Sequence, residues 1–157
     1  MTSEKATLTT TSDRDIHVER IFDAPLDRVW AACTEPDLVK QWWGRGNPLD
    51  VVKWEFEKGG HWRLVERSDG GEMGFEGRFR EIDPKNSCSY TFEFDGMPGY
   101  VCIESVQFVD LGDGRTKIVI DNLFHTAEER DGMLESGMET GMNESYAALD
   151  ALLARGE

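Results

Sequence analysis

Two polar residues stand at positions where the surrounding pattern asks for apolar ones. In the stretch 100–110, Tyr100, Cys102, Glu104, Val106 and Phe108 share one parity, so Glu104 is expected to point inward with them. Asn122 follows Ile118 and Ile120 at the same spacing of two. A buried carboxylate must be paired, hydrogen-bonded or neutralised through a raised pKa. Glu104 therefore either lies near a strand end, reaching water or an arginine such as Arg63, or serves with Asn122 as a polar anchor in an apolar cavity. The second arrangement is the usual chemistry of a small-molecule site. One carboxylate without a partner acid, metal or lysine is a poor general acid–base centre.

The remaining chemistry-bearing residues point away from catalysis. The sequence contains no G-x-S-x-G, H-E-x-x-H, C-x-x-C, P-loop or dinucleotide fingerprint. His17, His61 and His125 fall on separate elements, and the parity of the first two is outward, so neither a metal site nor a cofactor is expected. Cys88 and Cys102 have inward parity and Cys33 sits on the apolar face of a helix, without an adjacent His or Lys to activate any of them. Asn143-Glu144-Ser145 reads as a glycosylation sequon, yet it falls inside a predicted helix. The Gly137-x-x-x-Gly141 pair is surrounded by Glu135, Glu139 and Glu144, which excludes a membrane dimerisation role.

The elements that would position Glu104 and Asn122 can be read from periodicity. Residues 1–13 (MTSEKATLTTTSD) are polar and aperiodic and read as a loose tail, leaving 14–157 as one domain. Ile16, Val18 and Phe22 alternate with His17 and Glu19, as in a half-buried strand. Pro25 opens a helix carrying Leu26, Val29, Trp30 and Cys33. Thr34-Glu35-Pro36-Asp37 fits a capping box for a second short helix ending near Trp42-Trp43-Gly44. Period-two strands then run to residue 124, punctuated by Lys58-Gly59-Gly60, Ser68-Asp69-Gly70-Gly71, Asp83-Pro84-Lys85-Asn86, Asp95-Gly96-Met97-Pro98-Gly99 and Gly112-Asp113-Gly114. One sheet face is expected to bury Val52, Trp54, Trp62, Leu64, Phe75, Phe92, Val106, Phe108, Ile118 and Ile120, with Lys53, Glu55, Arg78 and Lys117 outside. From about 127 to 154 the pattern is helical, with Leu134, Met138, Met142, Ser145, Tyr146, Leu149, Leu152 and Leu153 on one arc. The reading is α+β: a curved antiparallel sheet of about seven strands wrapped around one long C-terminal helix.

Composition bounds the partners. Acidic residues outnumber basic ones 31 to 17, giving a net charge of −14, which repels nucleic acid and anionic membrane surfaces. No apolar run approaches the ~18 residues of a membrane span. The N-terminus carries no apolar signal core, and three unpatterned cysteines make no disulfide framework, so a cytoplasmic location is expected. Five Trp, eight Phe and three Tyr are a rich aromatic inventory. Trp54, Trp62, Phe75, Tyr90, Phe92 and Phe94 share the interior parity and read either as packed core or as the lining of a pocket. Gly77, Gly137, Gly141 and Ala148 beside them provide either close packing or space. Glycines at 132, 137 and 141 each cost a helix ~1 kcal/mol relative to alanine.

Taken in order, Arg20-Ile21-Phe22-Asp23-Ala24-Pro25, Val29-Trp30, Glu35-Pro36, Trp42-Trp43, Gly59-Gly60 and Gly77 before Glu81-Ile82 resemble the START-like (SRPBCC) helix-grip superfamily. Within it the chain is similar to the branch related to the C-terminal domain of the activator of the ninety-kilodalton heat-shock chaperone's ATPase. The resemblance spans about 16–153. Arg115 separates Gly114 from Thr116 where the family usually has Gly-Thr, and Gly141-Met142 stands where many members carry Gly-Trp. The resemblance implies a seven-stranded sheet gripping the last helix, with a pocket between them. The candidate lining is then Trp43, Trp54, Trp62, Phe75, Tyr90, Glu104, Asn122, Met138, Gly141 and Met142. The expected function is a non-catalytic module that binds a small apolar or aromatic molecule. The alternatives are a chaperone-associated protein acting through its surface, and a cyclase or hydrolase using Glu104 as base. An apolar edge strand or helix surface is where a homodimer would form.

Overall fold

The computed structural model describes residues 6–155. Strands β1 (Thr7–Thr9) and β2 (Asp15–Phe22) lead into helices α1 (Leu26–Thr34) and α2 (Pro36–Trp42). Six strands follow: β3 (Leu49–Trp54), β4 (His61–Ser68), β5 (Gly71–Asp83), β6 (Ser87–Phe94), β7 (Val101–Gly112) and β8 (Arg115–Leu123). Helices α3 (Ala127–Glu135) and α4 (Met138–Ala154) close the chain. The strands form one antiparallel sheet in the order β1-β2-β8-β7-β6-β5-β4-β3. After β2 the chain crosses to the far edge through α1 and α2 and returns strand by strand. Among the described residues, no helix is long and apolar enough to cross a membrane.

α4 lies on the concave face. Tyr146, Leu149, Leu152 and Leu153 are buried on it, packed in one cluster with Ile16, Val18, Phe22, Phe108, Ile118 and Ile120. Side chains of this size stabilise by ~1.5–3 kcal/mol each when fully buried. A second cluster gathers Val39 of α2 with Leu49, Trp62, Leu64 and Phe79 of the far strands.

Four details differ from the sequence reading. The sheet has eight strands because Thr7–Thr9, read as part of a loose tail, pair with Glu19, Val18 and His17. Ala6 also reaches the last helix, its N–H donating to Asn143 Oδ1 at 3.3 Å. Residues 1–5 of that tail lie outside the described residues. The turn into β2 is held by Asp15, whose carboxylate accepts from the backbone N–H and hydroxyl of Thr11 (2.9 and 2.6 Å) and of Ser12 (2.5 and 2.9 Å). These bonds, the Thr11 hydroxyl's first, hold the Asp15 pKa down at about 2 against the opposing effect of burial. A depressed carboxyl contributes stability that is present above its unfolded value, near 3.8, and is lost as pH falls through about 2. Asp15→Asn is therefore expected to be less stable than the parent at neutral pH. The gap should close between those two values in thermal unfolding followed across pH.

Val52, expected inside, is 56% exposed. A bulge between Val51 and Lys53 inserts one residue into β3, so Val51 and Trp54 face inward and Val52 is turned out. The rest of the row keeps its face. Trp62, Leu64, Val106, Phe108, Ile118 and Ile120 are buried, while Trp54, Phe75 and Phe92 are partly buried. The single long C-terminal helix is two helices, because Gly137 adopts φ +86°, a left-handed conformation that ends one helix and caps the next. Thr34 does not cap α2. Its hydroxyl donates back to Trp30 O at 2.7 Å, and α2 starts from Glu35 with Pro36 in its first turn.

Candidate functional site

Between the sheet and α4 lies a cavity of about 420 Å³. It is framed by Trp43 after α2, by the concave faces of β4 to β8, and by the α3–α4 junction. Its walls are tied together by hydrogen bonds from large or helical side chains. Trp54 Nε1 donates to Thr34 O at 2.7 Å, Trp42 Nε1 to Ala32 O at 2.9 Å, and Ser145 Oγ to Trp43 O at 2.8 Å. Trp43 meets Phe75 edge-on at 4.8 Å, and Phe75 lies 5.7 Å from Phe92. Only Ser136 and Gly137 among the lining residues are exposed, so the mouth lies where α3 gives way to α4.

All ten residues singled out from the sequence line this cavity: Trp43, Trp54, Trp62, Phe75, Tyr90, Glu104, Asn122, Met138, Gly141 and Met142. Three of them form a polar row on the floor. Tyr90, Glu104 and Asn122 are successive cross-strand partners on β6, β7 and β8, flanked by Phe79 and Ile16. Tyr90 donates its hydroxyl to Glu104 Oε2 at 2.6 Å. Burial pushes the Glu104 carboxyl above its usual range, while the Tyr90 hydroxyl partly opposes that shift. Tyr90 itself is driven well above the ordinary phenol value, first by burial and then by the neighbouring carboxyl. Glu104 thus pairs with Tyr90 and not with Arg63. Arg63 is on the outer face, bonded to Asp95 at 2.6 and 3.1 Å. Asn122 is 8% exposed, and its side-chain amide has no hydrogen-bond partner among the described residues.

The glycines divide between the two roles foreseen for them. Gly77 allows close approach: a Cβ there would sit 1.8 Å from Thr91 O. Gly141 is not crowded: a Cβ there would meet Arg45 Cδ at 3.4 Å, an ordinary contact. Gly137 turns the chain.

Sequence reasoning overlooked two groups. Met73, Met97 and Met133 join Met138 and Met142, so every methionine except Met1 lines the cavity. Flexible, polarisable thioethers adapt to the shape of an apolar guest. Met73, Met97 and Met133 were missed because they come from three separate segments, β5, the β6–β7 loop and α3. The second group is Arg45 and Glu66. Glu66 has the same parity as Trp62 and Leu64, the signal that identified Glu104, and its side chain is only 3% exposed. It is bonded by Arg45 and by Asn47 Nδ2, the latter at 2.8 Å. Arg45 sits at φ +61° and also reaches Glu144 at 3.5 Å, which ties the loop before β3 to α4 beside the cavity. The Glu66 carboxylate, first among its neighbours, raises the Arg45 pKa.

The thiols are inert. Burial pushes Cys88 and Cys102 up to about 12, and Cys33 higher still. His17 and His61 engage Glu19 and Glu76 away from the cavity. Among the described residues, no three His, Cys, Asp or Glu side chains gather as a metal-binding group. A second hollow of about 470 Å³ between α2 and β3 is an open groove walled partly by Asp37, Lys40, Asp50 and Lys53.

Residues 23–154 match the family described as activator of Hsp90 ATPase homolog 1-like protein. The chain belongs to that family. Its members' fold extends to solved structures across bacteria. A Rhodobacter sphaeroides protein is 28% identical, with a TM-score of 0.87 over 98% of this chain and 100% of its own. One from Arthrobacter aurescens is 25% identical, with a TM-score of 0.84 over 95% and 91% of the two chains. One from Mycobacterium smegmatis, at 22% identity and a TM-score of 0.86 over 97% and 99%, shares the fold. No curated protein matches the sequence. For this family member the helix-grip architecture is established, and it supports a ligand-binding or chaperone-associated module in general.

Proposed function

We propose that this protein is a cytoplasmic, non-catalytic module that holds a small apolar or aromatic molecule between the sheet and α4. The observation that carries this reading is the 420 Å³ cavity, within the size range of small-molecule sites, with an Asn122 amide unpartnered among the described residues in an otherwise largely apolar lining. A well-packed core leaves neither such a volume nor such a group. The single carboxyl–phenol pair of Glu104 and Tyr90 places one polar locus inside the cavity, which suits orientation of a guest.

Met142→Trp tests the reading. Met142 is partly buried and lines the cavity, and the indole would occupy the space that a guest needs. Filling an apolar void recovers ~20 cal/mol per Å² of cavity surface, so the variant is expected to unfold at or above the parental temperature. It should also bind the neutral fluorescent probe phenylnaphthylamine more weakly. Overpacking would instead cost ~1–3 kcal/mol; that loss, together with no probe binding in the parent, refutes the module.

The family's description raises a second reading, association with a chaperone. That role would use the sheet's outer surface, where Val101, Val109, Leu111 and Leu123 are 37–45% exposed. Stimulation of an Hsp90 ATPase by the parent, abolished by Leu123→Lys and untouched by Met142→Trp, would favour it.

A further inference from the structure

The row Tyr90–Glu104–Asn122 is more selective than an apolar cavity requires. Its two ends differ in what they lack. Tyr90 is satisfied by donating to Glu104 Oε2, which leaves Glu104 Oε1 without a partner among the described residues. Among the described residues, Asn122 lacks partners for both its amide oxygen and its amide nitrogen. These unfilled groups are on directly paired residues of adjacent strands, about 5 Å apart at Cα. Both residues line the cavity. A third orphan, the Trp62 indole N–H, is buried against the position of Gly77, so it does not join the row.

From this juxtaposition, and resting on the ligand-binding reading above, we infer that the ligand is a neutral hydroxylated aromatic, a phenol or naphthol in type, whose hydroxyl sits between Glu104 and Asn122. A hydroxyl donates one hydrogen bond and accepts others. It donates its proton to Glu104 Oε1 and accepts from Asn122 Nδ2, so one atom gives each residue a partner. A ketone or ether oxygen only accepts, so it can take a bond from Asn122 Nδ2 but offers no donor to Glu104 Oε1. A carboxylate brings a second negative charge beside Glu104 in a buried site, which is unfavourable. A hydrocarbon leaves both polar groups dry, at the full cost of an unmade bond. The aromatic body lies among Trp43, Phe75, Phe92 and the methionine thioethers, which accept flat rings of varied outline.

The test is displacement of phenylnaphthylamine from the parent protein by naphthalene, naphthol and naphthoate, the last two substituted at the same ring carbon. Naphthol is expected to compete roughly tenfold or more better than naphthalene, the ratio that corresponds to one hydrogen bond to a charged or strongly polar partner. Naphthoate should compete worse than naphthol. Glu104→Leu should abolish the preference for naphthol while leaving naphthalene as good as before. Glu104→Gln, which keeps an acceptor, should preserve part of it. Asn122→Val provides the same comparison should Glu104→Leu fail to fold. Equal competition by naphthol and naphthalene, with the probe still bound by the parent, overturns the hydroxyl assignment and leaves the cavity reading standing. Preference for naphthoate also overturns it. Failure of the parent to bind the probe or any competitor overturns both.

Discussion

Gly77→Ala is expected to destabilise the protein by about 3 kcal/mol, at the upper end of what overpacking costs. The added Cβ would stand 1.8 Å from Thr91 O and 2.8 Å from Trp62 Nε1. Neither neighbour yields cheaply. Thr91 belongs to the β6 backbone, with its hydroxyl accepting from the Arg78 N–H at 2.8 Å, and Trp62 is 3% exposed beneath Tyr90 and Phe92. Relief therefore separates β5 from β6 or displaces the indole from the cavity floor, and phenylnaphthylamine binding should fall along with stability. Gly132→Ala is the control. It lies within α3, where a Cβ would meet only Met97 Cε at 4.0 Å, so helix propensity decides and the variant should gain up to ~1 kcal/mol. Urea midpoints of the two variants should move in opposite directions. A neutral Gly77→Ala would mean that β5 and β6 are not as closely apposed as described.

The second large effect is expected at Arg45. Arg45→Met keeps the bulk and the left-handed backbone cost but removes the charge that faces Glu66, leaving a carboxylate 3% exposed with Asn47 as its remaining partner. Breaking a fully buried pair costs ~3–5 kcal/mol. Arg45 is 31% exposed and Asn47 remains, so about 2 kcal/mol is expected here. Adding Glu66→Gln should recover most of that loss, because an amide needs no counter-charge. Chemical denaturation of the two single variants and the double variant measures this coupling. Strict additivity would show that the ion pair contributes nothing to holding the loop before β3 against α4.

Glu104 shows how far the sequence alone reaches. Its inward direction follows from strand parity, because successive side chains alternate faces whatever the strand packs against. The same rule placed Trp62, Phe75, Tyr90 and Asn122 on the cavity side, and its untested application to Glu66 would have found that residue as well. Helical spacing likewise put Tyr146, Leu149, Leu152 and Leu153 on the buried face of the last helix. Periodicity fails where a single residue changes the count. The left-handed Gly137 is a local glycine stop that the helical period overran, while the bulge at Val52 depends on contacts remote in sequence. So does the pairing of Thr7–Thr9, a polar segment ordered by a ready strand edge rather than by its own hydrophobicity.

What local pattern determined was therefore the direction of each side chain and the class of the fold. Partners were decided by tertiary structure. Parity turns Arg63 away from Glu104 but does not say which inward neighbour meets it; the register of β6 against β7 sets Tyr90 opposite. Nothing in the spacing of Met73, Met97 and Met133, or in a loop arginine, places them at the cavity that Met138 and Met142 line. Whether Gly77 served close packing or space was likewise settled by distance to another strand, 1.8 Å from its Cβ position to Thr91 O. The reason is physical: alternation and helical period are set by the backbone of one segment, whereas a cavity is the volume left over when several segments pack, and no single segment encodes it.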